Sequence, residues 1–480
     1  MATDDFFRAR LETMIDLRHP LAVLSKRMPW ASIEAALAPL FEHKAGRGRR
    51  VSDGDLFGQT VELAGVVSPA GRPRLPIRLM VALLYLKHAY NESDESVVER
   101  WAQDVYFQFF SGNEFFEPRL PCDATQIGRF RRVLGEAGVE QLLKTTIEAA
   151  VAMNAVKPAE FATVIVDTTV QEKAIAHPTD SRLLEVARDK IARLAKRAGI
   201  KLKQTHEREG RTLRRRAGGY AHAKQYKRLR RVLKRQRTVL GILLREVRRK
   251  MTALTQEAQD KLTVWLERAE RIRTQKPKDK NKLYALHAPE VECIGKGKAR
   301  RPYEFGVKVS LAITEKSGLV VGARSFPGNP FDGHTLAQQI EQTNTLLEDI
   351  GTKPTTAVVD LGFRGVDAEL KPVEVVHRGK YKSLSKQQRR WLKRRQAIEP
   401  SIGHVKQDHR MDRCWLKGSE GDALHAVLCA AGFNIRWLLR AIARNGFFAA
   451  VVFMRWLASM LLVPTGPAPH FSSHAGGDGV

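Results

Sequence analysis

The chain has 480 residues, enough for roughly two to four domains with cores of their own. Hydrophobic residues at 43% and charged residues at 28% exclude a wholly disordered or fibrous chain. A formal charge of +29 makes a polyanion the expected partner, nucleic acid ahead of an anionic membrane. Cys122, Cys293, Cys414 and Cys429 form no C-x-x-C pair and no zinc spacing, which fits buried thiols in a reducing cytoplasm.

Residues 1–155 read as helical. The opening MATDDFFRARLETMIDLR has no apolar signal-peptide core. PWASIEAALAPLF, PIRLMVALLYLKHAY and DESVVERWAQDVYFQFF carry apolar residues at three- and four-residue spacing. In PCDATQIGRFRRVLGEAGVEQLL, helix-start chemistry at Asp123 and Thr125 precedes Arg129, Arg131 and Arg132. Short helices with an arginine-bearing one last suggest a DNA-reading unit of helix-turn-helix type; an ordinary basic helical face has equal weight on composition alone.

The period changes at residue 161. ATVIVDTTVQ reads as a buried strand ending in Asp167. Residues 182–282 then hold 33 Lys and Arg against 10 Asp and Glu, with leucine and valine at helical intervals. A basic helical insertion over 183–283 is expected, either a solvated hairpin or, better, a surface facing phosphates.

Strands return with FGVKVSLAIT, which alternates apolar and polar, and LVVGARSF after a Ser317-Gly318 turn. A helix over TLAQQIEQTNTLLEDIG, with Asp332 near its start and Gly351 as its stop, leads to the strands TTAVVD, ending in Asp360, and PVEVVH. The helical stretch SKQQRRWLKRRQAIEP follows. The expected fold class is α/β mixed: a catalytic domain split over 160–182 and 284–445, interrupted by the basic helices.

Asp167 and Asp360 both close apolar runs and can meet at one edge of such a sheet, with Glu399 added from a neighbouring helix. Each aspartate alone reads as a cap or turn residue. Three carboxylates together call for cations, and all-oxygen ligands suit magnesium. Arg395, Glu399 and Lys406 share one helical face, which reads as a solvated ion-pair stripe or as a metal ligand between two phosphate-binding cations. Pro400 is expected to kink or end that helix.

The run Arg395-x3-Glu399-x6-Lys406 resembles the Y-x2-R-x3-E-x6-K signature of DDE transposases from bacterial insertion sequences. VIVDTTVQEKAIAHPTDSRLL and VVDLGFRG resemble that family's first- and second-aspartate motifs, and RPYEFGVKVS and GNPFDGHTL are similar to stretches in one branch of it. The likeness runs through about residues 70–180 and 284–440. It implies an RNase H-like core with a mixed five-stranded sheet, preceded by an all-α DNA-binding region. It further implies Mg²⁺-dependent cleavage at element ends and joining of the freed 3′-hydroxyl to target DNA.

On this resemblance Asp167, Asp360 and Glu399 are the ligands of two Mg²⁺ ions, for which Mn²⁺ can substitute. The resemblance implies that Arg395 and Lys406 contact DNA phosphates; Arg129, Arg131 and Arg132 of the arginine-bearing helix, and Arg364, are the further expected DNA contacts. The partner is double-stranded DNA, element terminal repeats and target, bound by a homodimer or larger assembly in the cytoplasm at the nucleoid, with no obligate membrane. Two departures stand out: Leu392 replaces the signature's tyrosine, and about 190 residues separate the aspartates, with the basic block between them as an added DNA clamp. The alternatives are an RNase H-like nuclease without strand transfer and a non-catalytic nucleic-acid-binding relic.

The remaining candidates read as structural. Asp180 and Asp332 read as helix caps, His404 and His409 as satisfied or phosphate-side histidines, and Trp391 and Trp415 as core rather than base-stacking residues. Gly446–Val463 is long and apolar, but Arg455 at its middle favours a buried or partner-docking helix over a membrane span. Residues 446–480 are taken as that helix and a disordered tail.

Overall fold

The computed structural model describes residues 9–41, 75–295, 302–365 and 372–461, with no side chains described from 446 onward. The disordered-tail expectation for the last residues lies outside them. The N-terminal part holds α1 (Leu11–Met14), α2 (Pro20–Arg27), α3 (Trp30–Leu37), α4 (Ile77–Ala89), α5 (Asp94–Trp101), α6 (Val105–Phe110) and α7 (Ala124–Ala152). After β1 (Thr163–Glu172) come α8 (Asp180–Arg197), α9 (Glu207–His222), α10 (Tyr226–Met251) and α11 (Gln256–Thr274). The chain continues through β2 (Glu292–Gly295), β3 (Tyr303–Thr314), β4 (Val320–Phe326), α12 (Gly333–Leu347), β5 (Thr356–Val358) and β6 (Glu374–Val376). It closes with α13 (Lys386–Arg394), α14 (Ile398–Gln407) and α15 (Gly418–Leu461).

The fold is mixed α/β. The sheet runs β2-β3-β1-β5-β6 with β4 also paired to β3. It has six strands where five were expected, the addition being β2, which pairs antiparallel with the start of β3. β1 and β3 are antiparallel over nine residue pairs, whereas β1, β5 and β6 are parallel. An antiparallel hairpin joined to a parallel half, with helices packed on it, is consistent with an RNase H-like core. β1 and β3 approach closely at Gly306, where a Cβ would stand 1.9 Å from the Gln171 carbonyl oxygen. Only glycine permits that register.

One continuous apolar core joins the sheet to the N-terminal helices, from Leu21 and Leu83 through Val164 and Leu311 to Leu438. Asn434 of α15 shows how the layers are tied. Its Oδ1 accepts from Val320 N (3.0 Å), and its Nδ2 donates to Val320 O (2.8 Å) and Thr146 Oγ1 (3.0 Å), joining α15, β4 and α7. α8, α10 and α11 bury a second core of their own around Leu184, Leu240 and Leu266. α15 up to Asn445 is the one described helix long and apolar enough to span a membrane, and most of that window is buried inside the protein. It is the central core helix.

Burial also fixes the charge state of several histidines. His425 is depressed to about 3 and His409 to about 4 from the ordinary 6.5, burial being the main cause for both, and His88 lies well below 6.5 for the same reason. These rings are neutral in the fold and take up protons on unfolding below pH 6.5. Their contribution to stability is therefore present above about pH 6.5 and is lost as pH falls, approaching about 1.4 kcal/mol per pH unit for each histidine. Urea unfolding at pH 7.0 and 5.5 measures this, and His409→Asn is expected to flatten the slope.

Candidate active site

Asp167 does not end its strand. β1 continues to Glu172, and what stops beside Asp167 is its parallel neighbour: Ile165 faces Val358, the last residue of β5. Two residues beyond that last pair, where the two strands part, come Asp167 and Asp360, near enough for the charge of one to act on the other. Asp360 starts the turn Leu361–Phe363, its Oδ1 accepting from Gly362 N at 2.7 Å. Asp167 Oδ1 accepts from Thr168 N at 2.8 Å. Burial pushes the Asp167 carboxyl up to about 6; the charges of Asp360 and Asp332 add to that, while Thr168 N–H and Arg395 oppose it.

Glu399 comes from the first turn of α14. Pro400 neither kinks nor ends a helix here, because α14 begins at Ile398, where a missing N–H costs nothing. Arg395, in the single turn Arg395–Ala397, lies between two carboxylates: Nη1 is 3.5 Å from Asp167 Oδ2 and Nη2 is 3.9 Å from Glu399 Oε1. The guanidinium thus links the helix carboxylate to the sheet edge. Lys406, about two turns beyond Glu399, pairs with Glu304 Oε2 at 3.6 Å. Leu392, at the signature's tyrosine position, is buried and packs into the core.

The donor atoms of Asp167, Asp360 and Glu399 do not all lie within 4.8 Å of one another. Among the described residues, the one trio of potential metal ligands with donor atoms all within 4.8 Å of one another is His88, His425 and Cys429. Those three are buried, and Lys87, Arg131 and Arg410 lie close enough to depress His88 further. That positive field opposes a cation, so we read the trio as core packing. The carboxylate edge has the opposite field and offers only oxygen donors, the chemistry of a hard divalent ion such as Mg²⁺ or Mn²⁺. Arg395 already places a cation there.

Several expected roles change on structural grounds. Asp332 makes no side-chain cap; its Oδ1 accepts instead from Thr168 Oγ1 and Lys308 Nζ, each at 2.8 Å. For α8 the cap is Thr179, and Asp180 is the first helical residue, 3.8 Å from Arg237. Asp123 does cap α7, accepting from Thr125 N. Beyond it Arg129 and Arg132 are exposed, but Arg131 is buried and donates to Asp94 Oδ2 at 2.9 Å, so it fastens helices together and is turned away from solvent. Arg364 is exposed beyond the Asp360 turn. His404 pairs with Asp408, and His409 bonds the His88 carbonyl. Trp391 packs against the core, whereas Trp415 is 62% exposed with Arg413 over its ring, so its expected core role is withdrawn.

The chain matches the Transposase domain (DUF772) over residues 55–133 and the Transposase DDE domain over residues 368–439. The second match takes in Glu399; Asp167 and Asp360 lie outside both. The chain is also 42% identical over 223 residues to an uncharacterized protein, ORF8 in the nfe locus, of Rhizobium meliloti, covering 46% of this chain and 95% of that one. No solved structure matches. The chain belongs to the DDE transposases of insertion sequences, a family that acts on DNA and uses divalent metal ions.

Proposed function

We propose that this transposase cuts the ends of its element and joins them to target DNA by hydrolysis followed by transesterification, with Asp167, Asp360 and Glu399 holding two Mg²⁺ ions. The observation that carries the reading is the parting of β1 and β5. It supports the reading because Asp167 and Asp360 follow the last paired residues of the two strands, and Arg395 reaches from Asp167 to Glu399. Two such ions, when bound, would stabilise the attacking and leaving oxygens of an in-line displacement. Asp167 is central because it neighbours Asp360 on one side and, through Arg395, Glu399 on the other. Arg395 and Lys406 supply positive charge to DNA phosphates at the same edge, with Arg364 beyond it and Arg129 and Arg132 on α7. The protein acts as a homodimer or larger assembly so that two ends are processed together. Labelled element ends incubated with supercoiled target and Mg²⁺ are expected to give joined products. Cut but unjoined ends would make the protein a nuclease on the same core.

The hairpin of α9 and α10 is the second DNA-binding surface in this reading. From 211 to 235 it carries eleven Lys and Arg and no Asp or Glu. A small apolar core of Leu213, Ala217 and Val232 holds its two helices together. Glu207 and Glu209 pair only with Arg211 and Arg235 among these cations. Arg214, Arg215, Arg230 and Arg231 are exposed, and self-repulsion at this density favours a polyanion over water. Changing these four to Gln is expected to weaken binding to any duplex and to reduce the slope of log K against log salt by about 0.9 for each phosphate no longer neutralised. Titrations at several salt concentrations measure it.

A further inference from the structure

We infer that Asp332 is a positioning residue for this reaction: it sets the placement of Asp167 and Asp360 through Thr168 and Gly362. The inference rests on the reading that those two aspartates hold the metal. Four contacts carry it. Asp332 Oδ1 accepts from Thr168 Oγ1 (2.8 Å), and the amide of the same threonine donates to Asp167 Oδ1 (2.8 Å). Lys308 Nζ donates to Asp332 Oδ1 (2.8 Å), so β3 is fastened to the start of α12. On the other side, a Cβ on Gly362 would stand 3.2 Å from Asp332 Oδ2 and 3.0 Å from Asp360 Oδ1. Both carboxylates therefore flank the glycine whose amide orients Asp360.

The physical reason for such a device is repulsion. Asp167 and Asp360 bear like charges at the point where β1 and β5 part, so although β3 still holds β1 there, no ladder bonds join the two aspartates' own strands. Repulsion opposes bringing oxygens of both side chains to one site unless a cation lies between them. A third carboxylate alone would worsen this, but Asp332 comes with Lys308, only 11% exposed at its side chain, which offsets its charge. What remains is a hydrogen-bonded link from α12 and β3 to the Thr168 side chain of β1. Supports of this kind typically change metal affinity by about 10- to 100-fold.

The test uses the full chain and Mn²⁺, counted as free ion by paramagnetic resonance, with far-ultraviolet circular dichroism to confirm folding. Asp332→Ala is expected to weaken Mn²⁺ binding by about 10- to 100-fold. Asp332→Asn, which keeps an acceptor for Thr168 and covers the case of a poorly folding alanine variant, is expected to show a smaller loss. Thr168→Val should lose affinity in the same direction. The Thr168→Val/Asp332→Asn double variant should be no worse than the weaker-binding single, because both act through one link. Wild-type Mn²⁺ affinity in folded Asp332→Ala or Asp332→Asn overturns the inference, as do fully additive losses in the double variant. Wild-type Mn²⁺ binding in Asp360→Asn would remove the metal assignment beneath it, and this inference with it.

Discussion

Asp167→Asn, Asp360→Asn and Glu399→Gln should each cut element ends at least about a thousandfold more slowly than the parent, since a bound metal contributes several kcal/mol to the transition state and about 4 kcal/mol corresponds to that factor. DNA binding should survive, because the cations of α9, α10 and α7 are untouched. Stability should hold or rise. Asp167 is partly buried with its carboxyl pushed up to about 6, so a neutral amide relieves repulsion from Asp360 and Asp332 while keeping an acceptor for Thr168 N–H. Asp360→Asn likewise keeps an oxygen for Gly362 N. A folded, DNA-bound, inactive protein with an unchanged or raised melting temperature is a signature that general misfolding cannot produce.

Lys173→Met is expected to have the largest effect on folding. Lys173 follows β1, six residues after Asp167, and its Nζ is buried between Asp422 Oδ1 (2.7 Å) and Glu290 Oε1 (2.9 Å). Removing the cation leaves two carboxylates facing each other away from water, which costs about 3–5 kcal/mol. The loss is expected to reach the candidate site as well. The same residue fixes the end of β1 through Lys173 N to Phe305 O (2.9 Å), and Cys414 N donates to Glu172 O (2.7 Å). Urea midpoints of the parent, Lys173→Met and Lys173→Met/Asp422→Asn measure this, and the double variant should recover part of the loss.

Much of the sheet was legible because its strands bury both faces. VIVDTTVQ, VSLAIT and TAV are short runs rich in β-branched residues, too short for a core helix, and each lies in a strand. β2 was missed because ECIG is four residues long and has no hydrophobic period of its own; only pairing with β3 makes it a strand. The end of β1 was misplaced for a related reason. Sequence shows where β-branched residues stop, not where the neighbouring strand stops, and it is β5 that ends beside Asp167. The Asp-Gly-His-Thr order at 332–335 reads as a helix start, and its real partners, Lys308 and Thr168, lie 24 and 164 residues away. Arg131 was grouped with Arg129 and Arg132 by spacing, but Asp94, 37 residues earlier, decides which way it turns.

The most direct test of the account is anomalous scattering from Mn²⁺ in crystals of the full chain bound to a cleaved element end. Manganese should appear between Asp167 and Asp360, with a second ion between Asp167 and Glu399 and Arg395 displaced toward a phosphate. Manganese bound elsewhere, with these three carboxylates left without an ion in a complex competent for cleavage, would contradict it.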